Sequence, residues 1–549
     1  MYEDNNILVV IPARGGSKGI PRKNVRLMND KPLISHTISC ALSSNYVDDV
    51  VVTTDDDEIK FISEKFGAEV IKRAGKLAED DVPLDPVIYD ATLQKEEQIN
   101  KKYDFVITLQ PTSPLLKTNT LNRAIEKLCD CDTIISVVDD RHLSWGYDEN
   151  KGYYPLYEER VNRQYLPVAY KETGSIFASK REFIKENSRL GDKIDLIEVS
   201  LEESIDIDNY QDWWVAEHLL KQKKIIIKTD ATQEIGTGHI YRGLSIASKL
   251  INHEVLFLID ENKKLGTDII QNYNYPYITH SNNEDLLNKI NNFKPDIVIN
   301  DILNTDEEYI KSLKNKDYFV INFEDIGDGA KYADLVFDAL YEHKIPFKNV
   351  YSGHKYYILK DEFYYQNYKE IKPEVNEILL TFGGTDPNNL TKKTLDAILE
   401  SNYDSKIKII LGLGYKYKKE FQEEYSKYSN IEIFENVKNI SEHMISADLI
   451  FTSAGRTMYE IASIGVPCIC LCQNKRELTH IFANIDNGFI NLGLGVEVSK
   501  EDIIETLENI IKDYDFRCEM NKRMINVDIK HGFDNIYNIV KSHFNDFIV

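Results

Sequence analysis

Short apolar runs, most of them four or five residues long, alternate along the chain with longer segments of helical periodicity. Several of the runs end in glycine-rich or polar stretches, as strands do where they meet a loop. Strands that alternate with helices in this way predict parallel sheets covered by helices on both faces, an α/β fold. The clearest predicted strands are Ile7–Ile11, Val50–Thr53, Phe105–Leu109, Thr133–Val137, Lys224–Ile227, Asp296–Ile299, Phe319–Phe323, Ile378–Thr381, Lys408–Leu411 and Leu449–Thr452.

Two polar joints interrupt the alternation. Leu219–Lys224 is the polar end of a helical segment, and a new strand follows it directly. Residues 367–376 include Pro373 and precede another strand that ends in glycines. These joints predict one domain followed by a pair of Rossmann-like halves, with the last helical stretch, Asp534–Phe547, packing back across the pair. The predicted units are residues 1–222, 223–370 and 371–549.

The charge balance limits the classes of partner. Lys and Arg number 66 and Asp and Glu number 90, a net charge of −24, which disfavours nucleic acid and anionic membranes. No apolar run reaches the ~18 residues of a membrane span, and Met1–Asn6 lacks the basic stretch of a signal peptide. We therefore expect a cytoplasmic protein that binds neither nucleic acid nor membrane, in which a local basic loop marks any site for a phosphorylated ligand.

The seven cysteines do not indicate a disulfide framework or a metal site. Their number is odd, and none has the CxxC spacing of a zinc site. Cys468, Cys470 and Cys472 alternate with apolar residues, which is typical of one buried face of a strand.

The first predicted strand leads into a loop that is rich in both glycine and positive charge. The glycines allow backbone N–H groups to approach an anion closely, and four cations lie within ten residues of an acidic chain. The GxxxxGK[ST] pattern of a Walker A loop is absent. We interpret the segment as a phosphate loop of another kind, formed by Arg14, Gly15, Gly16, Ser17, Lys18, Gly19, Arg22, Lys23 and Asn24.

A pair of acids closes the first predicted domain. Asp206 and Asp208 are two residues apart, so on a strand both carboxylates would point to the same face. Oxygen ligands of this kind suit Mg²⁺. The alternative is that the two acids are simply solvated near a turn.

The phosphate loop and several later segments resemble, in the same order, the CMP-sialic acid synthetase family over residues 5–220. Two positions depart from the family pattern. Ala74 stands where proline is usual, and Thr173 replaces the usual asparagine. The matching segments are Val51–Asp55, Arg73 with Leu77 and Asp80, Leu109–Leu115, Asn162–Gln164, Glu172–Gly174 and Ser204–Asp208.

This resemblance implies a Mg²⁺-dependent enzyme that transfers CMP from CTP to a sialic-acid-like nonulosonic acid with release of pyrophosphate. It also implies a homodimer formed through this domain. Another nucleotide, such as UTP, remains an alternative, because spacing does not identify the base. The implied residues are Arg14 and Lys18 for catalysis, Gly15, Gly16, Ser17, Arg22, Asn24, Gln110, Thr112 and Ser113 for the nucleotide, Arg163, Gln164, Glu172 and Thr173 for the sugar, and Asp206 and Asp208 for the metal.

The region after residue 222 has its own candidate residues. Asp230 follows a strand, and Gly236, Gly238 and His239 lie where the next helix should begin. Glycines at such a turn can set backbone donors against a diphosphate, although a single histidine is often structural. A second glycine turn, around Gly455, also precedes a helix. Glu460 on that helix could accept hydrogen bonds from ribose hydroxyls or be a solvated charge.

Asp230, Gly236, Gly238, His239 and Arg242 resemble the pattern of the pseudaminic-pathway UDP-sugar hydrolase, a GT-B protein related to the MurG glycosyltransferase. The resemblance covers roughly residues 225–480 and implies that His239 activates water to displace UDP from a 2,4-diacetamido-trideoxyhexose. It makes Asp230 and Arg242 substrate-binding residues, and Gly236, Gly238, Gly455 and Glu460 nucleotide-binding residues.

One segment departs from the hydrolase pattern. The family's DHY…D segment is replaced by residues 300–305, of which only Asp301 matches. A GT-B glycosyltransferase and a non-catalytic sugar-nucleotide-binding module therefore remain alternatives for this region. The combination of the two resemblances favours pseudaminic or legionaminic acid as the nonulosonic acid.

Overall fold

The computed structural model describes residues 5–16, 19–150, 152–232, 236–341, 347–401, 403–435, 437 and 439–544. The chain separates into two compact units, Met1–Lys221 and Gln222–Val549. Ser17 and Lys18, both predicted site residues, lie outside the described residues.

The first unit is built on a seven-stranded sheet with two small additional ribbons. Its strands are β1 (Ile7–Pro12), β2 (Leu27–Met28), β3 (Lys31–Pro32), β4 (Asp49–Thr54), β5 (Glu69–Lys72), β6 (Phe105–Leu109), β7 (Thr133–Asp139), β8 (Trp145–Asp148), β9 (Gly152–Pro155), β10 (Tyr170–Lys180) and β11 (Ile194–Glu198).

The order of strands in the main sheet is β11-β7-β10-β6-β1-β4-β5. The sheet is mostly parallel, as the alternation of strands and helices predicted, but β10 runs antiparallel to both β6 and β7. In the described chain between β7 and β10 there is no α-helix, only the β8–β9 hairpin and short turns. Without a crossover helix the chain can return in the opposite direction beside β7.

Helices cover both faces of this sheet, and side chains fix where two of them begin. Asp56 caps the helix that follows β4 by accepting from the N–H groups of Glu58 and Ile59. Asn209 and Asp212 form a capping box at the start of the last helix. The helices are α1 (Leu33–Leu42), α2 (Asp57–Lys65), α3 (Leu84–Ile99), α4 (Thr118–Leu128) and α5 (Tyr210–Leu220).

The second unit contains two wholly parallel sheets, each within one half. The strands of the first half are β12 (Lys224–Thr229), β13 (Glu254–Asp260), β14 (Tyr277–His280), β15 (Ile297–Asp301), β16 (Phe319–Phe323), β17 (Leu335–Asp338) and β18 (Val350–Ser352). Those of the second half are β19 (Glu377–Thr381), β20 (Lys406–Leu411), β21 (Ile431–Glu435), β22 (Leu449–Thr452), β23 (Cys468–Cys472) and β24 (Phe489–Leu494).

Their orders are β14-β13-β12-β15-β16-β17-β18 and β21-β20-β19-β22-β23-β24. Within the described residues, the second unit has twelve α-helices, eight of which connect successive strands of one sheet, as parallel pairing commonly requires. They are α6 (Gly238–Lys249), α7 (Lys264–Asn272), α8 (Asn283–Phe293), α9 (Glu307–Lys314), α10 (Asp361–Tyr364), α11 (Leu390–Glu400), α12 (Lys418–Tyr425), α13 (Ile440–Ser446), α14 (Thr457–Ala462), α15 (Lys500–Lys512), α16 (Tyr514–Ile525) and α17 (Gly532–His543).

The two halves share apolar surface. Tyr357, which precedes α10, stacks on Tyr459 of α14 with ring centroids 4.4 Å apart, and both belong to one buried cluster. The last helix, α17, places Phe533, Ile536 and Val540 in the core of the first half, so it returns across the pair as predicted. Two Rossmann-like halves joined in this way form the GT-B fold, which confirms the predicted fold class.

The predicted strand face of the three clustered cysteines is confirmed. Cys468, Cys470 and Cys472 are fully buried on one face of β23, against the core that joins the two halves. No disulfide links the cysteines that the structure describes. Among the described residues, no helix is both long enough and apolar enough to cross a membrane.

Candidate functional site

In the first unit, the predicted site residues gather at the carboxyl ends of the central parallel strands. The phosphate loop follows β1, and Asp55 and Asp56 follow β4. Gln110 and the residues after it follow β6, next to β1 on its other side. Ligands of α/β proteins bind at this edge of a sheet, because the loops from neighbouring strands converge there.

The phosphate loop is fastened at several points. The N–H of Gly15 donates to Asp55 Oδ1 (3.1 Å), and Asn24 Nδ2 donates to the carbonyl of Arg14 (3.1 Å). Gly19 packs directly against the segment that carries the predicted metal ligands: a Cβ at Gly19 would lie 2.2 Å from the carbonyl oxygen of Asp208. Only glycine permits this contact. The phosphate loop and residues Ser204–Asp208, called the aspartate segment below, therefore form one assembly.

The loop's arginines are paired with acids at the surface. Arg14 Nη1 lies 2.7 Å from Asp80 Oδ1, and Arg22 Nη1 lies 2.7 Å from Asp56 Oδ2. Arg22 also bonds Glu58, and these partners raise its pKa above the ordinary value. The Arg22 side chain remains 46% exposed. Ion pairs this exposed contribute little to stability, so a triphosphate could replace the carboxylates as partner of these guanidinium groups.

The aspartate pair lies in a loop, so the prediction that it occupies a strand is wrong. The segment is held instead by a hydrogen bond from the N–H of Ile207 to the carbonyl of Thr112 (2.9 Å). Asp206 Oδ1 is buried and accepts no hydrogen bond, while the Asp208 side chain is 79% exposed. Burial raises the pKa of Asp206. A hydrogen bond from the Thr112 side chain acts against that effect, and the nearby charge of Asp208 acts with it.

These two carboxylates fit a divalent cation. A buried carboxylate oxygen that accepts nothing is unfavourable, and a cation would satisfy it. Lys23 supplies the nearest positive charge, with Nζ 3.9 Å from Asp208 Oδ1 and a further bond to the carbonyl of Ile207. Burial lowers the pKa of Lys23. Lys23 therefore only partly balances the pair.

Unsatisfied polar atoms are concentrated at this site. Among the residues described in the first unit, five buried side-chain atoms have no hydrogen-bond partner, and all belong to the segments just described or to Arg73 beside them. Such groups are rarely left unpaired in a folded protein, so their clustering points to a polar ligand. They are Asn24 Oδ1, Thr53 Oγ1, Arg73 Nε, Ser113 Oγ and Asp206 Oδ1.

Arg73 is a site residue that the sequence indicated only as part of a matching segment. Its Nη2 donates to the carbonyl of Thr53 (2.8 Å) at the end of β4. Burial lowers the pKa of Arg73 to about 10, with the charge of Asp55 acting against that effect. A buried guanidinium with an open N–H at this edge is a further candidate for the nucleotide. The sequence signal is a basic residue directly after an apolar strand.

The predicted sugar-side residues divide into two groups. Arg163, Gln164 and Glu172 are exposed, as a binding role requires. Thr173 is buried, and its hydroxyl bonds the hydroxyl groups of Ser136 and Ser175 (2.8 Å each). The prediction that Thr173 contacts the sugar is therefore wrong for its side chain, which stabilises the pairing of β7 and β10. The neighbouring glycine, Gly174, has a positive φ and packs against Gln110 instead.

In the second unit, His239 lies in the first turn of α6, beside the carboxyl end of β15. His239 Nδ1 and Asp301 Oδ1 are 2.7 Å apart. Asp301 is completely buried. Burial alone would raise its pKa, but Arg242 and His239 hold it below the ordinary value. An ionised acid beside Nδ1 favours the tautomer that carries its proton on that nitrogen, which leaves Nε2 as the ring atom that can accept one.

Arg242 lies behind this pair and is 3% exposed. Its Nε donates to Asp301 Oδ2 (2.6 Å), and its Nη1 donates to Glu324 Oε1 (3.2 Å). The prediction that Arg242 binds substrate is therefore wrong, because both ends of the guanidinium are occupied by buried acids. Arg242 orients Asp301 instead. Of its partner acids, Asp301 was noted from sequence only as the matching residue of segment 300–305, and Glu324 was missed, although each ends or follows a parallel strand.

Residues of the second half face the start of α6. A Cβ at Gly384 would lie 2.2 Å from Thr237 Oγ1, and a Cβ at Gly238 would lie 3.0 Å from Arg456 Cδ. Arg456 Nη1 is buried without a partner. Gly236 has φ +84°, a conformation that favours glycine. Of the predicted glycines, Gly238 thus lies where the two halves meet.

Two further predicted residues are engaged in ion pairs. Glu460 is 4% exposed and lies 3.1 Å from Lys360 Nζ, so its carboxylate joins the two halves instead of facing solvent. Asp230 accepts from Lys228 and Lys263 (2.9 Å each). Burial alone would raise the pKa of Asp230, but the two lysines keep it below the ordinary value. Neither carboxylate is open to a ligand in this arrangement, and their predicted binding roles stay predictions.

Comparison with known proteins finds similarity in both units. The family profile described as cytidylyltransferase matches residues 8–185. The profile described as the glycosyltransferase family 28 C-terminal domain matches residues 378–538.

Three relatives illustrate how far the similarity extends. The CMP-N,N'-diacetyllegionaminic acid synthase of Legionella pneumophila is 36% identical over 225 residues, which cover 39% of this chain and 96% of that protein. The pseudaminic acid cytidylyltransferase of Campylobacter jejuni is 31% identical over 222 residues, 39% of this chain and 96% of that protein. The uncharacterized protein MJ1062 of Methanocaldococcus jannaschii is 32% identical over 326 residues, 52% of this chain and 66% of its own length.

Proposed function

Because the chain belongs, through its first unit, to the cytidylyltransferase family, we propose that this unit transfers CMP from CTP to a nonulosonic acid and releases pyrophosphate. The relatives matched over almost their whole length are named for legionaminic and pseudaminic acid. The observation that carries the proposal is the cluster of unsatisfied buried atoms around the phosphate loop, which a nucleotide triphosphate and its cation would satisfy.

In this proposal the chain's own residues act by position and charge. Arg14 and Arg22 exchange their surface carboxylates for phosphate oxygens and offset the charge that develops on the leaving pyrophosphate. Lys18 is assigned the same task from the sequence alone. The N–H of Gly16 is assigned to the anion, while that of Gly15 fastens the loop to Asp55. Arg163, Gln164 and Glu172 are assigned to the sugar.

Asp206 and Asp208 would hold Mg²⁺, and Asp206 supplies the buried oxygen that needs a partner. The cation, when bound, lowers the cost of charge on the phosphate oxygens during transfer. The contact between Gly19 and Asp208 keeps the phosphate loop and these carboxylates together, so nucleotide and cation would share one rigid frame.

The test is pyrophosphate release by the purified protein with CTP and Mg²⁺. N-acetylneuraminic, legionaminic and pseudaminic acid are supplied separately, and UTP replaces CTP in a parallel series. We expect release with CTP and one of the last two sugars, and far less with UTP. Folded protein that releases no pyrophosphate with any of the three sugars would rule out this substrate class.

For the second unit we propose cleavage of a UDP-sugar, a 2,4-diacetamido-2,4,6-trideoxyhexose derivative, by water. The His239–Asp301 pair supports this proposal, because an imidazole with its proton held on Nδ1 presents Nε2 as a general base. The pair lies where α6 meets the glycine turns of the opposite half, the place at which a diphosphate could be held.

A glycosyltransferase is the second candidate for this unit, favoured by the match of residues 378–538 to the glycosyltransferase family 28 C-terminal domain. The two candidates differ in their need for an acceptor. Release of free UDP from the UDP-sugar in water alone supports the hydrolase. Release that begins only when a sugar acceptor is added supports the transferase. His239→Asn should abolish either activity.

A further inference from the structure

The buried charges behind His239 form a chain that reaches the opposite half of the second unit. Asp301 contacts both His239 and Arg242, and Arg242 contacts Glu324. Glu324 follows β16 directly and is 2% exposed. Arg476, which belongs to the second half, donates through Nη2 to the backbone carbonyl of Glu324 (2.7 Å).

Glu324 is held unusually firmly for a residue in a loop. Its φ of +53° is the left-handed conformation that a residue other than glycine seldom adopts without compensation. Its carboxylate accepts from the N–H groups of Ala339 (3.0 Å) and Leu340 (3.1 Å), which fixes the side chain toward Arg242. The backbone strain and the buried carboxylate are both unfavourable, so a role at this point of the chain would account for them.

We infer that Glu324 is a positioning residue for His239. It holds Arg242, which with Asp301 keeps the imidazole in one tautomer, and its backbone is fastened by Arg476 of the opposite half. The state of the imidazole therefore depends on a residue that is connected to it through Arg242 and Asp301. This inference rests on the proposed use of His239 as a base.

The electrostatic surroundings of His239 depend on whether the Glu324 carboxyl group is ionised. The groups that face it are Arg242, Arg476, Asp338, Tyr341, Tyr357 and Tyr459. Burial raises the pKa of Glu324 to about 7, with Arg242 acting against burial and Asp338 acting with it. The carboxyl thus changes charge in the neutral range. Above that range it is ionised and strengthens the negative surroundings that favour a protonated imidazole.

Removal of that charge has a defined consequence. In Glu324→Gln, Arg242 keeps its positive charge with one carboxylate fewer, so the surroundings of His239 become more positive. A protonated ring is then less favourable above neutral pH, where only wild type carries the Glu324 charge, so the ring signals of the variant should differ from wild type in that range. The difference from wild type should fade below neutral pH, where Glu324 is itself protonated.

The experiment is NMR of the full chain with isotope-labelled histidine, in which the ring signals of His239 are identified by their loss in His239→Asn. Ring nitrogen shifts give the tautomer and the titration curve without any substrate. Asp325→Asn is the matched control: Asp325 is equally buried in the same loop, but its oxygens accept from Thr305, Asn322 and Gly327. Asp325→Asn should lower the melting temperature of the protein without changing the titration curve of the His239 ring.

A titration curve and tautomer of His239 that are the same in Glu324→Gln as in wild type would overturn the inference. Should that variant fail to fold, Arg476→Gln provides a second test. It removes the backbone anchor of Glu324, together with the contacts of Arg476 with Asn304 and Tyr341, and leaves the Glu324 carboxylate in place. The ring should then show a mixture of both neutral tautomers. A single unchanged tautomer in Arg476→Gln would also contradict the inference.

UDP release separates this inference from the proposed function. If His239→Asn still releases UDP from the UDP-sugar at the wild-type rate, the proposed base is wrong, whatever the NMR shows. If only His239→Asn loses release while Glu324→Gln keeps the wild-type pH profile, the base stands and the positioning role of Glu324 fails. The base role of His239 and the positioning role of Glu324 are both supported if Glu324→Gln lowers kcat about tenfold with little change in KM.

Discussion

At the scale of single residues, the candidate sites are marked by polar atoms that the protein leaves unsatisfied. Asp206 Oδ1 is the clearest example, a buried carboxylate oxygen next to a second, exposed carboxylate. Its raised pKa means that ionisation of Asp206 is unfavourable in the folded chain without a cation. A group of this kind contributes stability at low pH that is lost as the pH rises through its folded pKa.

Asp206→Asn should therefore separate stability from activity. At pH 7 without Mg²⁺ we expect the variant to melt about 2 °C or more above wild type, because an unfavourable buried charge has been removed. Added Mg²⁺ should raise the melting temperature of wild type but not of the variant. Thermal unfolding with and without Mg²⁺ measures both effects.

The same variant should lose cytidylyltransferase activity by about 100-fold or more, since an oxygen that would hold the cation is replaced by an amide. Asp208→Asn should lose less, because Asp208 is exposed and water can take its place. The rate of pyrophosphate release, measured over a range of Mg²⁺ concentrations, tests whether Asp206→Asn loses more activity than Asp208→Asn. Equal activity of Asp206→Asn and wild type would exclude Asp206 from the metal site.

At the scale of elements, the phosphate loop depends on one close contact with the aspartate segment. The Gly19 Cα approaches the carbonyl of Asp208 so closely that no side chain fits. Gly75, in the loop after β5, offers a matched control, because a methyl group added there would meet no atom within 4 Å.

Gly19→Ala should push the loop away from Asp206 and Asp208 and lower kcat/KM for CTP by about tenfold or more, since positioning of the phosphates is lost. Gly75→Ala should leave kcat/KM near the wild-type value. Steady-state kinetics of the two variants at saturating sugar provide the measurement. A kcat/KM of Gly19→Ala equal to that of wild type would show that activity does not require the contact between the phosphate loop and the aspartate segment.

At the scale of the whole molecule, the two units have separate cores. The buried apolar clusters of Met1–Lys221 contain no residue of Gln222–Val549, and the converse also holds among the described residues. The helix α17 completes the core of the first half of the second unit through Phe533, Ile536 and Val540.

Deletion of residues 532–549 should therefore destabilise the second unit alone. Exposure of the apolar surface that α17 covers costs several kcal/mol at about 25 cal/mol per Å². We expect two unfolding transitions in calorimetry, with only the transition of the second unit lowered. Pyrophosphate release should persist at about the wild-type rate. Loss of both activities together would show that the units depend on each other.

The α/β class, the strands, the phosphate loop and the place of His239 at the start of a helix could all be predicted from the amino-acid sequence. Each of these follows from local pattern: apolar runs of strand length, glycines that permit unusual backbone, and basic residues concentrated in an acidic chain. The resemblance to a known family led to the prediction of CMP transfer from CTP by the first unit. The comparisons support this prediction at the level of the cytidylyltransferase family.

Which polar side chains are exposed to a ligand, and which are buried in hydrogen-bond networks, could be seen only in the folded structure. Thr173 and Arg242 were assigned to substrates from sequence, yet both are buried in hydrogen-bond networks. Asp301 contacts His239, and Glu324 contacts Arg242 behind it, only because β12, β15 and β16 are neighbours in one parallel sheet. Burial and pairing depend on contacts between distant segments, and local pattern does not encode them.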